Sequence, residues 1–248
     1  MKTNKEEKHE VAIKMENLPS DVLSANWGVI ESLETTDLVV PKIYHMQSIS
    51  DLVVKKQAEA GDFVDNLTNK ILVSSANKLE VIIFGSFKTM IRSKRNLKDK
   101  FDYLETITIT PENAREWASA PFIDGDFKNT LQYNFYCLLP NKINEVPYVL
   151  SLGSTKTKTA RKINTMIFKL AQIGKPGAAI VFELTNVAEK NDDGQWFGLE
   201  VNQGRFTTPD ELLKAHAWHV KSKSQKFTVV EEEAQVQNSN EEENEKPF

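Results

Sequence analysis

The sequence predicts a mainly β protein: a small β-barrel with one helix between its third and fourth strands, extra helices, and a disordered acidic C-terminal tail. Three observations predict it. Five runs of strand length, apolar and rich in β-branched and aromatic residues, fall between residues 79 and 201 with turn residues between them. An amphipathic segment of helical period lies between the third and fourth runs. Residues 231–248 are almost all polar or acidic, too poor in apolar surface to offset the entropy of ordering.

Along the chain, residues 1–20 mix charges without an apolar period and are expected to form a flexible arm. Residues 21–228 are expected to form the folded domain, and 229–248 the tail. Within the domain, 43–46 predicts a strand, 52–60 a short helix ending at Gly61, and 66–70 a turn. Leu79-Glu80-Val81-Ile82-Ile83-Phe84 predicts a buried strand. Residues 101–110 are rich in Thr and Ile but alternate less cleanly. Thr110-Pro111-Glu112 predicts a helix start, with Thr110 as N-cap and Pro111 at the first position. That short helix carries Trp117 and ends before Pro121. Residues 131–139 predict an aromatic-rich strand stopped by Pro140, and 147–152 the next strand.

Ile163, Met166, Ile167 and Leu170 fall at i, i+3, i+4 and i+7, giving a helix over 160–173 one apolar stripe. Gly174 and Pro176 stop it. Strands over 178–188 and 195–201 flank the turn Asn191-Asp192-Asp193-Gly194. Thr208-Pro209-Asp210-Glu211 opens a last helix, reaching about Val220, with Thr208 and Glu211 as a capping box. Three strands, a helix and a hairpin is the connectivity of an OB-fold, a small barrel that binds oligonucleotides on one face. Other barrels share this order, and the insertion between the first two strands is long for it.

The net charge of -4 hides a division. From Glu231 onward seven Glu stand against one Lys, so that segment carries -6 and the remainder +2. A faintly basic body bears an acidic appendage, and the overall charge does not argue against a nucleic-acid ligand. Cys137 is the single cysteine and sits in an apolar run, which predicts a core residue in a reducing compartment. No stretch reaches the ~18 apolar residues of a membrane span. The charged N-terminus lacks the apolar stretch of a signal peptide. These features predict a soluble, cytoplasmic protein with no membrane partner.

Two basic clusters stand out. Lys88, Arg92, Lys94, Arg95 and Lys98 follow the first core strand, where a loop is expected. Lys156, Lys158, Arg161 and Lys162, interleaved with Thr155, Thr157 and Thr159, lead into the long helix. Phosphates need such partners, cations for counterion release and hydroxyls for hydrogen bonds. Free N–H groups at the helix start add to the anion affinity of the second cluster. Cations there are locally unfavourable, so an anionic ligand is expected to compensate them. Single strands also need flat faces for their bases. Trp117, Tyr133 and Tyr148 are the foremost candidates, with Phe122, Phe127, Tyr136, Trp196 and Phe197 behind them. Strand alternation places Tyr133 and Phe135 on one face and Tyr136 on the other.

An enzyme is the first rival. There is no phosphate-cradling Gly-Lys-Ser/Thr loop, no metalloprotease His-Glu pair and no nucleophile elbow. His216 and His219 are two potential ligands on one helix without a third, and a surface pair is the simpler account. Asp124 and Asp126 flank Gly125 and read better as a turn than as a metal site. The expectation is a non-enzymatic protein with no catalytic residue, metal or cofactor. A protein-binding adaptor would also use an acidic tail. A DNA mimic should be acidic throughout, which the basic clusters oppose. Stacking platforms accept RNA as well as DNA. The sequence leaves homo-oligomerisation open.

The tail ends in Glu245-Lys246-Pro247-Phe248. A terminal Phe suits a hook: its ring fills a partner's pocket while its carboxylate meets a basic residue beside it. Pro247 limits the conformers lost on docking, and the acids steer the tip toward basic partners. This acidic tail resembles the C-terminal tip of bacterial single-stranded DNA-binding proteins, and is similar to the Phe-ended tails of their phage counterparts. The resemblance covers about the last eight residues and the tail composition. It implies that Pro247 and Phe248 dock replication, recombination or repair proteins. It further implies a core that binds and protects single-stranded DNA with little sequence preference, in the host cytoplasm if phage-encoded. One departure stands out. Bacterial tips are usually Asp-rich with an apolar residue before Pro, whereas Lys246 holds that place here. The grip is therefore expected to differ.

Overall fold

The computed structural model describes residues 39–143, 145–191, 194–224 and 228–229. The expected N-terminal arm, Asp192 and Asp193 of the expected turn, and the acidic tail with Pro247 and Phe248 lie outside the described residues. The chain opens with β1 (Val39–Val40), β2 (Lys42–His45), α1 (Asp51–Val54), β3 (Phe63–Asp65) and β4 (Ile71–Val73). There follow β5 (Leu79–Arg95), β6 (Phe101–Ile109), α2 (Ala114–Ser119), β7 (Ile123–Asp124), β8 (Phe127–Leu138) and β9 (Tyr148–Gly153). The chain then forms α3 (Thr157–Gln172), β10 (Ile180–Asn191), β11 (Gly194–Phe206), α4 (Pro209–Ser224) and β12 (Thr228–Val229).

The protein is mainly β, and the expected barrel order is present. The main sheet runs β11-β10-β5-β8-β9-β2-β3-β4, with β6 added on β5 and β7 on β8. Its first five members are the predicted strands in the order fifth, fourth, first, second, third. Closing a barrel from that order would require β9 to meet β11. Instead β2 takes the outer edge of β9 in parallel, pairing Lys42 with Val149 and Ile43 with Leu150. Residues 42–73 thus extend the sheet, a role that no local pattern announced.

The sheet still curls, because its two ends touch through side chains. Gln47 Nε2 donates to the Phe197 carbonyl at 3.0 Å, and the Phe197 N–H donates to Gln47 Oε1 at 3.0 Å. His45 Nε2 donates to Asn186 Oδ1 at 2.6 Å. Asn186 Nδ2 in turn donates to the carbonyls of Gly61 at 2.9 Å and Ser75 at 2.7 Å. Gly61 is required at this junction: its φ is +94°, and a Cβ would lie 2.9 Å from that of Ser75. The result is a half-barrel with a polar seam.

Helix α3 lies inside the curl. Its predicted stripe holds: Ile163 and Leu170 are buried and Met166 and Ile167 pack against the same cluster, with Phe135, Leu150, Phe182 and Val201. The Thr159 hydroxyl donates to the Leu199 carbonyl, tying the helix to β11. Cys137 is fully buried there, and burial pushes its thiol up to about 12, so it behaves as a core residue. Helix α4 covers the other face, where Ala215, Leu212 and Trp218 pack on Ile82, Phe84 and Val181. Tyr133 and Phe135 face the inner cluster and Tyr136 the outer one, as alternation predicts.

Three expectations change. The first strand continues through Arg95, so Lys88–Arg95 is strand where a loop was expected. Pairing explains it: β8 flanks this half from Lys88↔Tyr133 to Lys94↔Phe127, and β6 flanks the other edge. The short helix begins at Ala114, not Pro111. The Asn113 side chain accepts from the Thr110 N–H at 2.8 Å and donates to the Thr108 carbonyl at 3.0 Å, which holds Thr110–Asn113 as a turn. Helix α1 is a single turn and buries no residue; Lys56, at φ 57°, ends it.

Candidate nucleic-acid interface

The far half of β5, with β6, β7 and the start of β8, forms an arm beyond the part of the sheet that α4 covers. Cross-strand neighbours share a face, so the register decides which cations meet which rings. The Lys88 ammonium lies 5.3 Å from the Tyr133 ring centre, its direct partner on β8. The Arg92 guanidinium lies 4.0 Å from the Phe127 ring, one step diagonally. Arg95 sits 5.0 Å from the Phe101 ring. Lys128 sits 5.8 Å from Phe101 and 5.3 Å from Phe122. Lys88 with Tyr133 and Arg92 with Phe127 share one face of the β5–β8 pair, whereas Arg95 with Phe101, and Lys128, which stands opposite Ser93, fall on the other.

Not every cation is equally free. Arg92 also meets Glu105 at 3.4 Å, and Arg95 meets Asp99 at 2.5 Å across the turn that follows β5. Lys162 lies 3.7 Å from Glu200. Lys88, Lys94, Lys98, Lys156, Lys158 and Arg161 make no ion pair among the described residues.

The second cluster begins in a 3-10 turn, Ser154–Lys156, and enters α3 with Lys156 at the N-cap and no side-chain cap. Lys158, Arg161 and Lys162 are exposed. Lys156 is different. It is half-buried against the seam, and burial lowers its ammonium to about 8. His45 beside it is held neutral, at about 3, first by burial and then by the Lys156 charge. The ring's bonds agree: Nε2 donates to Asn186, leaving Nδ1 to accept from Gln47 Nε2 at 3.2 Å.

The predicted stacking residues divide. Tyr148 is 3% exposed and belongs to the inner core, so no base reaches its ring in this conformation. Tyr133 is 9% exposed, with Lys88 over it. Trp117 is half-exposed on α2. Phe122 stands out at 59% exposed. Phe101 and Lys128 escaped sequence reasoning. The available signal was the close pair Phe127-Lys128 after the Gly125 turn, where Asp124 pairs with Phe127 and Gly125 takes φ 59°. That turn is the place of Asp124 and Asp126. Among the described residues no group of three His, Cys, Asp or Glu is placed to hold a metal. His219 Nδ1 donates to the Phe84 carbonyl at 2.7 Å, a packing role. No helix among the described residues is long and apolar enough to cross a membrane.

No curated protein and no solved structure matches the chain. A family of phage proteins does, over residues 23–229, a stretch that takes in the main sheet, α3, α4 and every candidate contact on the arm. The chain belongs to the Pam3 phage gp34-like protein family.

Proposed function

We propose that the protein binds single-stranded DNA with little sequence preference, along the arm and the start of α3, and protects it during replication or recombination. The observation that carries this reading is that cations are paired with rings on both faces of the arm: Lys88 and Arg92 with Tyr133 and Phe127 on one, and Arg95 and Lys128, with Phe101 and Phe122 beside them, on the other. A single strand offers phosphates and unpaired base faces in turn, and needs both kinds of partner. A duplex hides its base faces and uses only the cations. The family's phage origin fits a replication or recombination setting. In the same proposal, Pro247 and Phe248 recruit partner proteins, on the strength of the tail's composition and its resemblance to known tips.

Titration with a fluorescent oligothymidine and with a duplex of equal length, at two salt concentrations, tests the core of this. The expected result is preference for the single strand and a log–log salt slope near -0.7 per phosphate neutralised. Equal affinity for duplex would sink the reading. An RNA strand in parallel decides whether the preference is for DNA. Removal of Pro247 and Phe248 should leave strand affinity intact and abolish capture of replication proteins. Unchanged capture removes the hook.

A further inference from the structure

At the root of the arm a cleft of about 370 Å³ opens between β5, β8, the turn before α2 and α3. That is within the ~300–1,000 Å³ range of small-molecule sites. Ile109, Pro111 and Ala114 give it an apolar wall, and Tyr133 lies beneath Lys88 on the opposite side. Asn164 of α3 lines it too, with a carboxamide that makes no hydrogen bond among the described residues. Lys88 makes no ion pair there either.

A largely apolar slot with one unbonded carboxamide and one cation outside any ion pair matches a nucleotide. The base's flat faces bury against apolar and aromatic side chains, its hydrogen-bonding edge meets the amide, and its phosphate meets the cation. Position adds a second argument. Lys88 belongs to the first basic cluster. Asn164 follows Arg161 of the second cluster at i+3, on the same side of α3. The cleft therefore sits where the two clusters meet.

We infer that this cleft takes one nucleobase, with Asn164 on its edge and Lys88 on the adjoining phosphate. The base comes from a bound single strand or from a free mononucleotide; the inference rests on the strand-binding reading for the first source. Asn164→Leu and Ala114→Met plug the cleft from opposite walls, and circular dichroism with a melting curve checks that each variant folds.

The probe for the strand is a single 2-aminopurine walked through an oligothymidine. On the native protein one position per footprint should differ in fluorescence from its neighbours. Either plug should erase that difference and weaken strand binding about 5- to 150-fold, the loss of roughly one stacked base. In a second arm, deoxyadenosine monophosphate should shift the Asn164 side-chain amide resonances of the native protein. If the strand binds, no position stands out and the monophosphate leaves Asn164 unmoved, the cleft inference is overturned while strand binding stands. A positional signal that survives both plugs overturns it too. If the strand does not bind, the strand reading falls and the monophosphate titration alone decides: a shifted Asn164 upholds the cleft, and an unmoved one ends it. Should the plugs unfold the protein, the two native-protein measurements decide in the same way.

Discussion

The side chain of Gln47 hydrogen-bonds both backbone groups of Phe197, at 3.0 Å each, and so takes the place of a neighbouring strand. It joins the two ends of a sheet that does not close by itself. Gln47→Ala leaves the Phe197 N–H and carbonyl short of partners in a half-buried seam. A loss of about 1–3 kcal/mol is expected in a urea unfolding curve. Gln47→Glu keeps the acceptor and loses the donor, and should fall between.

Glu211 gives a pH dependence. Arg205 donates to it at 2.7 and 2.6 Å, and the Thr208 N–H donates to it at 2.7 Å. The Arg205 bonds above all hold its carboxyl down, at about 2 against an ordinary 4.5. A carboxylate lowered on folding stabilises above its unfolded value and loses that contribution as pH falls toward its folded value. Stability should therefore decline as pH drops from about 4.5 to about 2. Glu211→Gln should flatten that part of the curve and cost about 1–2 kcal/mol at neutral pH, through the cap and the partly exposed ion pair. Thermal melts across pH measure both.

Phe122 tests the arm without touching the core, since it is exposed and contacts Lys128 from outside. Phe122→Ala should leave the melting temperature within a degree or two and weaken single-strand binding by about 1–3 kcal/mol. Duplex binding should hardly change. An equal loss for both ligands would show that the ring positions Lys128 instead of meeting a base.

Lys156 carries a half-buried cation that the free protein has to tolerate. Its folded value of about 8 lies below the ordinary 10.5, so between those values the unfolded chain holds more protons and stability rises with pH. Lys156→Met should be more stable than the native protein at pH 7, by about 1–3 kcal/mol, with the gap closing above pH 10.5. Strand affinity should run the other way. A phosphate needs the charged ammonium, so binding should weaken as pH rises through 8, and Lys156→Arg should remove that inflection.

Much of the fold was legible because its signals are local. Pro140 ends β8, the Ile163 to Leu170 stripe defines α3, and Thr208 with Glu211 caps α4 through reciprocal bonds. What escaped depends on distant partners. The far half of β5 lacks a continuous apolar face, and its charges read as a loop; β6 and β8, pairing both edges, make it a strand. The parallel contact of β2 with β9 joins residues about a hundred positions apart and leaves no local trace. At the site, alternation put Tyr133 with Phe135 but did not say which face is inward. The charge pattern found the cations, yet only the register shows that Arg92 meets Phe127 and that Lys128 meets Phe122.

The 17-residue β5 has a mechanical meaning. At ~3.3 Å per residue it is a rod of roughly 55 Å, with one end clamped between β8 and β10 and the other forming the arm's spine. No loop interrupts it. A load applied at the tip is therefore carried along the hydrogen-bonded ladder to the register shift between Ile83 and Gly85, and that bulge is the joint at which the arm flexes against the interior.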